Sequence, residues 1–84
     1  MGNWHSDITI YRFDPERNMS RYYALSVQPN LFGGYSLMRQ WGRIGSSGQS
    51  RIDLFDTAEL ARAAGDQLMC SKQKRGYSVT GIRG

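Results

Sequence analysis

The chain has 84 residues, 39% of them hydrophobic and 12% aromatic, with two prolines and no low-complexity tract; that composition excludes a disordered polymer, and the length fits one domain. Such a domain buries only about 60–65% of the surface its unfolded chain exposes, so aromatic residues must supply much of a small core. Eleven Lys/Arg against seven Asp/Glu give a formal charge of +4, and no acid follows Asp66 while Lys72, Lys74, Arg75 and Arg83 do.

This cationic C-terminal part suits an anionic partner such as nucleic acid, or else it is a solvated helix end that complements the helix dipole. Cys70 is the only cysteine. No intramolecular disulfide can form, a reducing compartment is expected, and a thiol beside Leu68 and Met69 reads as a small apolar filler. No run approaches the roughly 18 apolar residues of a membrane span, and the polar opening MGNWHSD has no signal-peptide core, so a cytoplasmic location is expected. Gly2 and Ser6 match a loose myristoylation pattern without a polybasic neighbour, and residues 1–7 read as a frayed tail.

Ile8 to Phe13 is rich in β-branched and aromatic residues and predicts a strand ending near Asp14, with DPERN as its exit loop. SRYYALSVQ then alternates Tyr23, Leu25 and Val27 against Tyr22, Ala24 and Ser26, a second strand closed by the turn formers of PNLFGG. The third strand is YSLMRQWGR. After IGSSG a fourth, QSRIDLF, returns with Ile52 and Leu54 on one face. Short connections make an antiparallel meander the simplest topology.

From DTAEL onward the pattern becomes helical, with Asp56 as the expected N-cap and Glu59 three residues later. Leu60, Ala61, Ala64, Leu68 and Met69 form one apolar stripe. Gly65 weakens the helix by about 1 kcal/mol relative to Ala, yet its size lets the helix approach the sheet closely. Gly76 marks the C-cap, and YSVTGI reads either as an irregular tail or, the reading favoured here, as a short fifth strand added at an edge. The sum is an α+β fold: a twisted antiparallel sheet of four to five strands with one amphipathic helix packed on one face, spanning residues 8–80 between a tail at 1–7 and another at 81–84. One face of the sheet should stay uncovered and is the expected place for function.

Little in the chain supports catalysis. His5 is the sole histidine and lies in the expected tail, and no cluster of Cys, His or carboxylates has metal-ligand spacing, so neither a cofactor nor a metal is expected. GRIGSSG lacks the lysine of a phosphate loop and precedes a strand where a nucleotide fold needs a helix; it reads as a hairpin loop, with room for one backbone N–H contact to a phosphate. The sharpest feature is the row Arg39, Trp41, Arg43. Guanidinium groups fork onto phosphate oxygens and an indole offers a flat surface to a sugar or base, so the row suits a nucleic-acid strand or end. The same row is equally consistent with a core Trp41 flanked by charge.

The triplet Trp41-Gly42-Arg43 resembles the signature of the WGR domain. The similarity extends through DPERNMSRYYAL at Asp14–Leu25, GGYSLMRQWGRIG at Gly33–Gly45 and the helix ending in KRGY. That family occurs in DNA-dependent poly(ADP-ribose) polymerases and in many bacterial proteins, some of them little more than the domain. The resemblance implies binding to a DNA break, with Trp41 packing on the sugar of a terminal nucleotide and Arg43 contacting a phosphate or another domain. Asn18 and Arg21 look like the residues that donate to phosphate oxygens, and Gly42 would allow close backbone approach. Transferase activity is not implied, because the domains that carry it do not fit in 84 residues. The expectation is a non-enzymatic module that recognises DNA ends or nicks through Trp41, Arg43, Gly42, Arg39, Asn18 and Arg21, with Lys72, Lys74 and Arg75 adding a sequence-independent contribution. A protein-interaction module built on the same residues is the alternative, since Trp and Arg also anchor protein interfaces.

Overall fold

In a computed structural model of the chain, residues 7–79 are described. The readings made for Gly2, His5, Ser6, Arg83 and the tail 81–84 lie outside the described residues; Asp7, counted above with the first tail, opens a strand. Strands β1 (Asp7–Asp14), β2 (Met19–Pro29), β3 (Tyr35–Arg43) and β4 (Gln49–Phe55) precede helix α1 (Ala58–Lys74). The four strands form one sheet in the order β1-β2-β3-β4, every pair antiparallel, which is the meander that the short connections dictate. With α1 packed against it, this is the expected two-layer α+β fold.

Local chemistry fixes each connection. Pro15 starts a single 3-10 turn through Arg17, and Asn18 closes it in the left-handed region at φ 51°, its N–H donating to the Pro15 carbonyl at 3.1 Å. Asn tolerates that conformation better than most residues with a Cβ. Between β2 and β3 the Asn30 side-chain oxygen accepts from the N–H groups of Phe32 (2.8 Å) and Gly34 (3.0 Å), leaving Leu31 and Phe32 exposed at the tip.

Strand alternation puts one set of side chains under the helix. Ile10, Tyr23, Leu25, Val27 and Leu37 are buried with Ala61 and Tyr77 as the core. The alternate set faces the uncovered side, where Met38, Ile52 and Leu54 remain exposed.

The helix departs from expectation at three points. Its N-cap is Thr57, not Asp56: Thr57 has extended φ/ψ and its Oγ1 accepts from the Leu60 N–H at 3.2 Å. β4 runs to Phe55, and the chain turns through Asp56 and Thr57 before it can coil, so Glu59 lands one position early for a capping box. Leu60 is exposed rather than part of the stripe, because Ala61 and Gly65 are the residues that meet the sheet and Leu60 lies about 100° away around the axis. Cys70 is exposed rather than a core filler; nine residues past Ala61, it points about 180° from the packed line. Gly65 is buried at the helix–sheet contact, as its size suggested.

Arg75 is the C-cap, and Gly76 follows it at φ 98°, donating to the Gln73 carbonyl at 3.0 Å while the Tyr77 N–H reaches the Lys72 carbonyl at 3.1 Å. This pair of bonds is a Schellman motif, and it turns the chain so that Tyr77 drops into the core. Ser78 then exchanges two hydrogen bonds with Tyr11 of β1, at 2.7 and 2.9 Å. Of the expected fifth strand YSVTGI, the described part, residues 77–79, makes a single bridge to the β1 edge, and residues 80–82 lie outside the described residues. Helix α1 starts beside the end of β4 and finishes over the opposite end of β1, so it crosses the sheet on a diagonal and leaves open the corner where β3 ends and β4 begins.

Leu37→Ala should destabilise the fold by about 2–5 kcal/mol, as a fully buried leucine does. Leu54→Ala, on the bare face, should stay within about 0.5 kcal/mol of the parent chain in denaturant unfolding.

Candidate functional site

Register decides where the Arg39, Trp41, Arg43 row points. Trp41 stands opposite buried Tyr23, so all three side chains lie on the face that α1 covers, not on the uncovered face where function was expected. The diagonal helix resolves the apparent conflict. At the corner formed by the end of β3 and the start of β4 no helix lies overhead, and Trp41 there is half-buried: it packs on the core, its ring 6.0 Å from that of Tyr23, and also lines an open cleft. Packing against the core and opening onto the cleft, alternatives in the sequence, are combined in one side chain here.

The cleft has a volume of about 400 Å³ and is walled by Arg17, Asn18 and Arg21 from the first hairpin, by Trp41, Gly42 and Arg43, and by Ser46, Gly48 and Gln49 of the β3–β4 hairpin. It thus gathers Asn18, Arg21, Trp41, Gly42 and Arg43. Arg43 Nη2 reaches the Asn18 carbonyl at 3.5 Å, tying the two hairpins across the site. Arg39 does not join them. Its Nη2 donates to Asp53 at 3.1 Å, its side chain is largely covered, and its Nε is buried without a hydrogen-bond partner.

Two arginine rows cross the sheet, and their contrast is informative. Arg39 opposes Arg51 on β4, and both hold the Asp53 carboxylate at 3.1 Å. Arg21 opposes Arg12 on one side and Arg43 on the other, and among the described residues none of these three has a carboxylate within 4 Å. Like charges directly opposite each other on neighbouring strands are destabilising. The second row is therefore an unneutralised field at the open corner and along its edge.

Lys72 adds to that field from the last turn of α1. Its ammonium lies 4.7 Å from the centre of the Tyr23 ring and 5.6 Å from that of Tyr77, within cation–π range. Burial first, then the nearby charges of Arg75, Arg21 and Arg39, pull its pKa below the ordinary lysine value. Lys74 and Arg75 line a separate hollow with Arg12, Asp14 and Glu16, so they extend the cationic surface without walling the cleft.

Gly42 allows a close backbone approach within the chain itself. A Cβ there would lie 2.8 Å from the Gly48 Cα, so the backbone that approaches Gly42 is the chain's own. The loop folds down on this contact and is held by Tyr22, whose hydroxyl lies 3.2 Å from the Ser46 carbonyl and 3.1 Å from that of Ser47, and by Gln40 Nε2, which donates to Ser47 at 2.9 Å. GRIGSSG is thus a hairpin loop that forms one wall of the cleft. Arg12, Arg17 and Gln49 were not singled out in the sequence. Arg12 had a usable signal: once the first hairpin's turn is centred between Asp14 and Met19, positions 12 and 21 must face each other.

A family model for the WGR domain matches residues 6–82. The chain is 50% identical over 68 residues to an uncharacterized protein, y4dW, of Sinorhizobium fredii, an alignment that spans 81% of this chain and 33% of that protein. The crystal structure of a Bacteroides fragilis protein superposes with a TM-score of 0.70 at 22% identity, covering 84% of this chain and 18% of that one, a likeness of fold. This chain spans a third or less of the length of both.

Gly42→Ala should lower stability by about 1–3 kcal/mol, because the loop backbone has to move off the added methyl. For Lys72 the lowered pKa means that the unfolded chain holds the proton more tightly. The parent chain should therefore gain stability relative to Lys72→Met as pH rises from the lowered pKa toward 10.5, a difference read from paired denaturant curves across alkaline pH.

Proposed function

The chain belongs to the WGR domain family, and from that premise we propose that it is a non-catalytic nucleic-acid-binding module that seats a DNA end or nick in the corner cleft. The observation that carries the reading is the uncompensated Arg12, Arg21, Arg43 row beside a half-buried indole. Guanidinium groups without carboxylate partners are poised for phosphate oxygens, and the Trp41 ring offers a sugar or base its flat side. Asn18 and the backbone around Gly42 add donors at the same wall. Lys72 is part of this field, and Lys74 and Arg75 lengthen it along the next hollow. Such contacts read backbone and shape rather than base edges, so sequence preference should be slight.

For a protein partner, the observation in favour is the exposed Met38, Ile52 and Leu54 set, which lies on the other face of the sheet from the cleft. Trp and Arg in the cleft remain serviceable anchors for either class.

Fluorescence anisotropy against a 5′-phosphorylated blunt duplex and a closed dumbbell of the same sequence tests the reading. The open duplex should bind more tightly, and log Kd should rise with log salt at a slope of about 3 if the three arginines each neutralise one phosphate. Arg43→Ala should reduce that slope by about 1. Trp41→Ala should weaken binding by about 1–3 kcal/mol, and because the ring also packs on Tyr23 it should lower the melting temperature too. Equal affinity for duplex and dumbbell would remove end recognition; no binding to either would remove nucleic acid.

A further inference from the structure

The two edges of the sheet are treated differently. The β1 edge is engaged by Ser78, whereas no described residue pairs with the outer edge of β4. An edge strand left open is a template for another strand, and proteins usually guard it with lysine, proline or a bulge. β4, Gln49–Phe55, has no lysine and no proline, and its seven residues pair with β3 in unbroken register.

Its sequence is also complementary to itself. If two copies of β4 meet antiparallel about a dyad through Ile52, Arg51 of each copy falls opposite Asp53 of the other, and Ser50 falls opposite Leu54. On the helix-covered face this brings Arg51 of the second copy to an Asp53 that already holds Arg39 and Arg51 of its own chain, and opposite charges directly across a strand pair are favourable. On the uncovered face Ile52 meets Ile52 of the second copy, and both lie beside Leu54 and Met38. These three are the exposed apolar side chains that the monomer leaves without cover on that face near β4. A register moved along by one or two residues loses the Arg51–Asp53 match.

We propose that β4 pairs with β4 of a second copy, through the Ile52 dyad, to give a continuous eight-stranded antiparallel sheet. One strand a side is a small interface beside the roughly 1,200–2,000 Å² of stable complexes, so the dimer forms at high local concentration, as on a shared ligand or within a longer chain. The pairing does not depend on what the corner cleft binds.

Sedimentation equilibrium of the full chain from micromolar to millimolar concentration should show the mass doubling. Ile52→Lys, which sets like charges on the dyad at a position already exposed, should return the chain to monomer with its circular dichroism and melting temperature unchanged. Register is read by disulfide trapping in a Cys70→Ser background. Opposed Cα atoms in an antiparallel pair are about 4.5–5.5 Å apart, within disulfide reach. Ile52→Cys should therefore cross-link to its own copy, Leu54→Cys alone should not, and mixed Ser50→Cys and Leu54→Cys chains should. A chain that stays monomeric throughout the range overturns the proposal. So does a dimer indifferent to Ile52→Lys, or trapping by Leu54→Cys alone, which would indicate stacked sheet faces instead of joined edges.

Discussion

The ring of Tyr23 sits where the core ends and the cleft begins. It is buried between Ile10 and Trp41 in the strand register, meets Tyr77 edge-on at 6.5 Å from below the helix end, and carries the Lys72 ammonium on its face. Aromatic and cation–π contacts of this kind are modest one by one. Their effect here is positional. Tyr77 reaches the ring only because the Schellman motif ends α1 at Arg75, and Trp41 is held at its angle only because Tyr23 fills the space behind it. Core packing, helix termination and the orientation of the one large flat side chain in the cleft thus share a single residue.

Around that residue the sheet tolerates an arrangement that strand pairing alone disfavours. Three arginines in cross-strand register repel one another, and a stability-optimised sheet would place a carboxylate among them, as the Arg39, Arg51, Asp53 group does two rows away. In the neutralised row Arg39 is largely covered and Arg51 exposed, whereas in the unneutralised row Arg21 and Arg43 are exposed and border the open corner. Burial accounts for Arg39: a covered guanidinium needs a partner, whereas an exposed one is served by water. The uncompensated field is most economically understood through what it attracts.

Most of the architecture was legible because it rests on local rules. Alternation in β2 and β3, turn formers at Asp14–Asn18 and Asn30–Gly34, and helical spacing from Ala58 gave the four strands, the meander and the helix, with β3 and β4 at their observed bounds. The N-cap slipped by one residue because Asp56 and Thr57 are both good caps and only the exit path from β4 selects between them. What alternation cannot give is which face the helix takes, and that left the Arg39, Trp41, Arg43 row open between core and surface. Nor can it show a helix crossing on a diagonal, the circumstance that lets Trp41 be packed and accessible at once. Asn18, Arg21, Trp41, Gly42 and Arg43 fall around one cleft, while Arg39, identical in type and parity, is withdrawn by Asp53, a partner fourteen positions along that only β3–β4 register reveals.

The cleft is assembled from separate parts of the sheet: its charge comes from positions 17, 21 and 43, and another wall from the β3–β4 turn. No single hairpin contains it, so the complete site exists only when the turn before β2, the β2–β3 pair and the β3–β4 turn are assembled together. A ligand that recognises the assembled corner consequently favours the folded form over forms in which that corner is taken apart, by an amount set by its free concentration relative to Kd. For a domain this small, with a correspondingly thin margin of stability, occupancy of the corner and survival against proteolysis become the same equilibrium seen from two sides.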